Sequence, residues 1–129
     1  MDLEDLECHL VELKSKDLNR RGVLRRLIQE YCRQGQVEKL RVAKDQYEAS
    51  GYEYSAGMLA MLFDVMIRFG NLDEAEASLR KLNGLAPDFV LDEHKVLDFA
   101  TLLVSKKRVE GTNVVPWYAV LYVHLTLVS

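Results

Sequence analysis

The chain has 129 residues, enough for one modest core, and its 49% apolar and 29% charged residues describe a folding rather than a disordered chain. Its net charge of −3 argues against a generic polyanion binder. Two cysteines behind an acidic, amphipathic start, MDLEDLECHL, make neither a disulfide framework nor the basic and apolar pattern of a signal peptide or the Arg-rich pattern of a transit peptide. Two prolines, seven glycines and frequent leucine favour helix over sheet.

Residues 3–18 carry Leu3, Leu6, Leu10, Val11, Leu13 and Leu18 at spacings of three and four, which predicts an amphipathic helix. Asn19 to Gly22 reads as a turn, followed by a helix over 22–33 with Leu24, Leu27, Ile28 and Tyr31 on one stripe. Gly35 supplies a left-handed stop, and a third helix over 37–49 closes at Ser50 and Gly51. Residues 57–69 are apolar nearly all round, the mark of a helix buried between neighbours, and end at Gly70 and Asn71. A partner helix over 72–83 opens with Asp73 and Glu74, where the helix dipole favours them. Asn83-Gly84 ends it and Pro87 keeps it ended. A further helix is predicted over 92–105, with Val96, Phe99, Ala100 and Leu103 inside. In all, about seven helices in pairs are expected, with almost no strand before residue 111. Past Gly111 the segment 112–129 is apolar and β-branched, too short for a bilayer span of about 20 residues and foreign to the preceding pattern. Exposed, it would be an aggregation hazard.

Laying residues 22–55 over 57–90 pairs Gly22 with Gly57, Leu24 with Leu59, Leu27 with Leu62, Arg33 with Arg68 and Gly35 with Gly70. A period of about 35 residues marks a helical repeat, whose units bury their apolar faces only by stacking. The fold expected is therefore an all-α solenoid of stacked antiparallel helical hairpins over residues 1–111, with an atypical apolar tail over 112–129. Residues 3–18 form a partial unit, 22–55 and 57–90 are repeats, and 92–111 is a partial repeat.

Charge is unevenly placed. Residues 1–13 carry −5, 14–44 carry +7, 45–100 carry −7 and 101–129 carry +2. The basic belt would meet phosphates, and the plainer reading is a solvated face balanced elsewhere. Cys32 reads as a small core residue. His9, His94 and His124 join no Cys or carboxylate at ligand spacing, so no metal is expected. No nucleophile elbow, P-loop or dinucleotide fingerprint occurs, and neither an enzyme nor a cofactor is expected.

The segment LIQEYCRQGQVEKL, residues 27–40, resembles the pentatricopeptide-repeat signature: Leu27-Ile28, Tyr31-Cys32, Arg33, Gly35 and Val37-Glu38. The second unit offers Leu62-Phe63, Arg68, Gly70 and Leu72-Asp73-Glu74-Ala75, and closes with GLAPD, residues 84–88, similar to that family's Gly-x-x-Pro-Asp end. SKKRVEG, residues 105–111, looks like a third inter-helix turn with Lys107 in place of glycine. The wording is most similar to the leucine-rich mitochondrial members of the family, of which this chain would be a short fragment or isoform, its residues 3–18 the second helix of a preceding unit.

That resemblance implies binding of single-stranded RNA, about one base per repeat, along a groove lined by the first helices. It implies a role in mitochondrial mRNA stability and post-transcriptional expression, with the mitochondrion as compartment and the nucleus as a second one. A protein partner in an RNA-stabilising complex is implied too, and no membrane. The base-facing position falls on Arg25, Ala60 and Leu97, and its companion at the unit's end on Ser55 and Asp88. Ala60 and Leu97 offer no hydrogen bond to a base edge, and Asp88 is the one good match. Arg21 and Arg25, one turn apart, lead the phosphate-contact candidates, with Arg20, Arg26 and Arg41 beside them; the plainer reading pairs them with Glu30 and Glu38. Tyr31 and Tyr47 read as core residues, Tyr52 and Tyr54 as more open and able to stack on bases. The alternative to RNA binding is a protein–protein scaffold whose concave face holds a partner helix or peptide.

Overall fold

A computed structural model of the chain describes residues 2–69 and 71–109. Gly70, expected to stop a helix, and the apolar 112–129 segment lie outside the described residues. Six α-helices and no strand occur among the described residues: α1 (Leu3–Ser15), α2 (Arg21–Gln34), α3 (Val37–Ala49), α4 (Ala56–Arg68), α5 (Leu72–Leu85) and α6 (Glu93–Val109). They fall into two alternating series. Leu3, Val37 and Leu72 open one, 34 and 35 residues apart, and Arg21, Ala56 and Glu93 open the other, 35 and 37 residues apart.

Burial follows the same register. The fourth, seventh and eleventh residues of α2 (Leu24, Leu27, Tyr31), of α4 (Leu59, Leu62, Met66) and of α6 (Val96, Phe99, Leu103) are all buried. In α3 those positions are Leu40, Ala43 and Tyr47, and in α5 Ala75, Ser78 and Leu82, again all buried. Steps of three and four keep such residues on one face of a 3.6-residue helix.

The chain forms two compact units, one up to Met61 and one from Leu62 onward, with the boundary inside α4. In the first, α1 and α3 both pack on α2, whose Leu24, Leu27, Ile28, Tyr31 and Cys32 are buried. Cys32 is thus a core residue, whereas Cys8 is exposed. In the second, α5 packs on α6, and the ring of Phe63 meets that of Phe99 edge-on, centroids 5.2 Å apart. An ion pair from Lys95 to Asp64 at 3.1 Å joins the same two helices, α6 and α4.

One backbone device ends three helices. Gly35 has φ 71°; its N–H donates to the Cys32 carbonyl, and the next N–H, of Gln36, reaches back to Tyr31. Gly51, φ 78°, repeats this with Glu48 and with Tyr52 to Tyr47, and Asp17, φ 52°, with Lys14 and with Leu18 to Leu13. This is the Schellman motif, which satisfies carbonyls that the last helical turn leaves open. The Asn71 N–H donates to the Met66 carbonyl at 3.0 Å, the same five-residue span. Helix starts are capped by Asp2, which accepts from Asp5 N–H, and by Asn71, which accepts from Glu74 N–H while its amide donates to the Glu74 carboxylate.

Three boundaries differ from the sequence reading by two residues or more. α1 stops at Ser15 rather than 18, because Asp17 takes the left-handed conformation that Asp tolerates better than most residues. α5 runs through Asn83-Gly84 to Leu85 and stops at Ala86, where Pro87 disfavours a helical backbone in the residue before it. α6 runs to Val109, so the turn expected over 105–111 is helical as far as Val109. Lys107 stands where the preceding units have Gly35 and Gly70, and a lysine lacks the freedom that lets glycine stop a helix.

A Cβ on Gly51 would meet nothing within 4 Å, so the cost of Gly51→Ala is conformational alone. It should destabilise the chain by about 1–2 kcal/mol, whereas Asp17→Gly, which relieves the same backbone, should stabilise it by about 0.5 kcal/mol. Urea unfolding of the two variants checks both signs. Leu62, Phe63 and Met66 are completely buried. Leu62→Ala should therefore cost about 2–5 kcal/mol in the same assay, and a loss under about 1 kcal/mol would mean that the site collapses around the smaller side chain.

Candidate functional site

Arg25, Ala60 and Leu97 are each the fifth residue of their helix, α2, α4 and α6, and each is half-buried. They sit one step beyond the buried fourth position, on the flank of the apolar stripe. Their chemistry differs sharply. Only Arg25 carries a donor; Ala60 and Leu97 present methyl groups.

Arg21 opens α2 and is exposed, one turn before Arg25 on the same face. Arg20 caps α2 without a side-chain hydrogen bond, and the first turn of the helix contains no acid. Four arginines thus crowd the end of α2 that its dipole already makes positive, where cations are disfavoured. The acids that would relieve them are engaged elsewhere. Glu30 takes Arg33 at 2.5 Å, Glu38 takes Arg41, Glu7 takes Lys39 at 3.4 Å and Glu12 takes Lys16 at 2.9 Å. The Arg33 hydrogen bond and charge hold the Glu30 carboxyl below its usual range, with a smaller contribution from Arg26. The expected pairing with Glu38 is therefore met by Arg41 alone. Among the described residues, the guanidinium groups of Arg20, Arg21 and Arg25 make no ion pair.

Ser55 stands immediately before α4, and its hydroxyl accepts from the Met58 N–H at 3.2 Å. It acts as an N-cap, a role legible in a serine placed three residues before an apolar helical run. Asp88 is exposed in a turn closed by the Phe89 N–H and the Ala86 carbonyl.

The tyrosines divide as read from the sequence, but the outer pair is not free. Tyr31 and Tyr47 are buried, as core positions should be. Tyr52 and Tyr54, more open than those two, are half-buried against Tyr47, with ring centroids 5.3 and 5.0 Å from its own. Their hydroxyls are occupied: Tyr52 accepts from the Arg20 N–H at 3.3 Å, and Tyr54 donates to the Glu48 carboxylate at 3.1 Å. Tyr47 donates to the Glu53 carbonyl at 2.6 Å. Such ring pairs contribute about 0.5–1.5 kcal/mol each beyond burial, so this cluster fixes the loop from α3 to α4. Burial, reinforced by Glu48, raises the Tyr54 phenol above its ordinary range.

Among the described residues no three His, Cys, Asp or Glu side chains gather as a metal site, and no helix is long and apolar enough to cross a membrane. No family model matches the chain, and neither a curated protein nor a solved structure matches it.

Ser55→Ala should lower stability by about 1 kcal/mol through loss of the cap, and Ser55→Asp, which keeps an acceptor at a helix N-terminus, should restore it. Thermal unfolding of the two variants measures this. Equal stability of Ser55→Ala and the parent would remove the capping role.

Proposed function

We propose that the chain belongs to an α-solenoid of pentatricopeptide-repeat type that binds single-stranded RNA and acts in stabilising mitochondrial transcripts. The observation that carries this reading is the set of arginines at the start of α2, of which Arg20, Arg21 and Arg25 make no ion pair among the described residues. Crowded cations at the positive end of a helix are relieved by an anion, and a forked guanidinium suits phosphate. The two helix series at 34–37 residue spacing support the repeat assignment, as does the recurrence of the fifth position at Arg25, Ala60 and Leu97.

The mode of binding follows from those three side chains. Arg25 would contact phosphate or any base, while Ala60 and Leu97 leave base edges unread. Two complete repeats reach only about two bases, so the isolated chain should bind weakly, with most affinity belonging to a longer array.

Filter binding of single-stranded RNA across a salt series tests this. Affinity should fall steeply with salt. Arg25→Ala should weaken binding to all sequences about equally and reduce the salt slope by roughly one unit. An unchanged slope, or tight binding of one sequence by this chain alone, would overturn the account. Undetectable binding at low salt would favour the protein–protein scaffold instead.

A further inference from the structure

We infer that the first unit carries a second, separate docking surface: an open groove between α1 and α3 that takes a basic amphipathic helix of a partner protein. The groove has a volume of about 260 Å³. Leu27 and Tyr31 of α2 form its floor, Leu10 and Val11 of α1 one wall, and Val42 and Ala43 of α3 the other. Two of these wall residues stand in solvent, Val11 at 68% and Val42 at 59% exposure, one on each helix. Paired apolar rims over an apolar floor are the form in which the ridge of an amphipathic helix is received.

Charge decides the occupant. Residues 1–13, which contain most of α1, carry five acids and no Lys or Arg. Glu4, one turn before Glu7 on the groove side of α1, is exposed and makes no ion pair among the described residues. Lys14 closes the far end of the α1 stripe. Inside the groove Glu7 accepts from Lys39 at 3.4 Å. Burial, then the neighbouring Glu7 carboxylate, push the Tyr31 phenol up to about 12, so it stays protonated. Lys39 holds Glu7 by a long, exposed pair of the kind that contributes little, so an incoming Arg or Lys displaces it at small cost. A partner helix with apolar residues on one stripe and Arg or Lys beside them matches both the apolar walls and the acidic rim.

This surface is distinct from the α2 arginines. At about 100° per residue, Leu27 and Tyr31 face away from Arg25 on α2. The inference therefore stands or falls independently of RNA binding.

The test is a heteronuclear NMR titration of the full chain with a synthetic helix of about 18 residues, leucines on one stripe and lysine and arginine elsewhere. A control peptide keeps the leucines and replaces every base by glutamate. The basic peptide should shift the amides of α1 and α3 around Val11 and Val42, and the acidic control should bind at least about tenfold more weakly. The double variant Val11→Ser, Val42→Ser changes only exposed side chains; its circular dichroism should match the parent and its peptide affinity should fall about tenfold. Glu4→Gln with Glu7→Gln should weaken binding and flatten its salt dependence. Arg25→Ala, which tests RNA binding, should leave peptide affinity unchanged. Equal binding of the two peptides, shifts confined to other helices, no effect of the valine substitutions, or no shift at millimolar peptide would overturn the proposal. So would a dimer in sedimentation that the valine substitutions abolish, because a second copy would then be the occupant.

Discussion

The left-handed residue that follows α1, α2 and α3 is the constraint on which the rest of the first unit depends. Asp17, Gly35 and Gly51 each turn one N–H back to a carbonyl three residues earlier, and the next N–H reaches back five. That closes the helix at a fixed length, so α1 to α3 contain 13, 14 and 13 residues. A helix of this length makes about four turns and is marginal alone. Its stability must come from a partner, and the reversal at its end delivers the next helix as that partner. α6 shows the converse. With Lys107 at the corresponding place, the helix continues to 17 residues.

Fixed length also fixes register. Because α2 to α6 start at equivalent places, their fourth, seventh and eleventh residues fall on the buried face whatever their identity: Tyr31, Met66 and Leu103 fill one such position with three different shapes. Size varies while the pattern holds, as expected where burial and patterning define a fold and the details of fit adjust locally. The fifth position inherits its half-buried setting from the same register. The setting is shared while the side chain differs: Arg25, Ala60 and Leu97.

The helices and their buried faces were legible in the sequence because both rest on local rules: apolar spacing for the stripe, glycine for the stop. The misread boundaries are places where such rules compete. Asp17 has no glycine's freedom yet adopts the same backbone. Gly84 has that freedom and does not use it, since Pro87 supplies the stop at Ala86. The tyrosines show a different limit. Tyr52 and Tyr54 follow α3 in a polar loop, and no local pattern says that they close over Tyr47; their burial is created by the turn at Gly51, which brings the chain back across its own helix end. Ser55 is the case where a signal was present and outweighed by the register of the repeat.

Electrostatics was the least legible layer, because net charge along the sequence does not reveal which acids are already taken. The belt over residues 14–44 carries +7, and its own acids Glu30 and Glu38 lie within reach of several arginines. Helix geometry allots them. Glu30 and Arg33, like Glu38 and Arg41, are three residues apart on one helix, so the pair forms without help from the tertiary fold. Arg21 and Arg25 have no acid at that spacing on α2, since Glu30 lies five residues past Arg25 and on another face. Among the described residues, Arg20, Arg21 and Arg25 at the start of α2 make no ion pair, and neither does Glu4 on α1. The two proposed binding surfaces thus lie on neighbouring helices and carry opposite sign, so each can be removed by substitutions that leave the other in place.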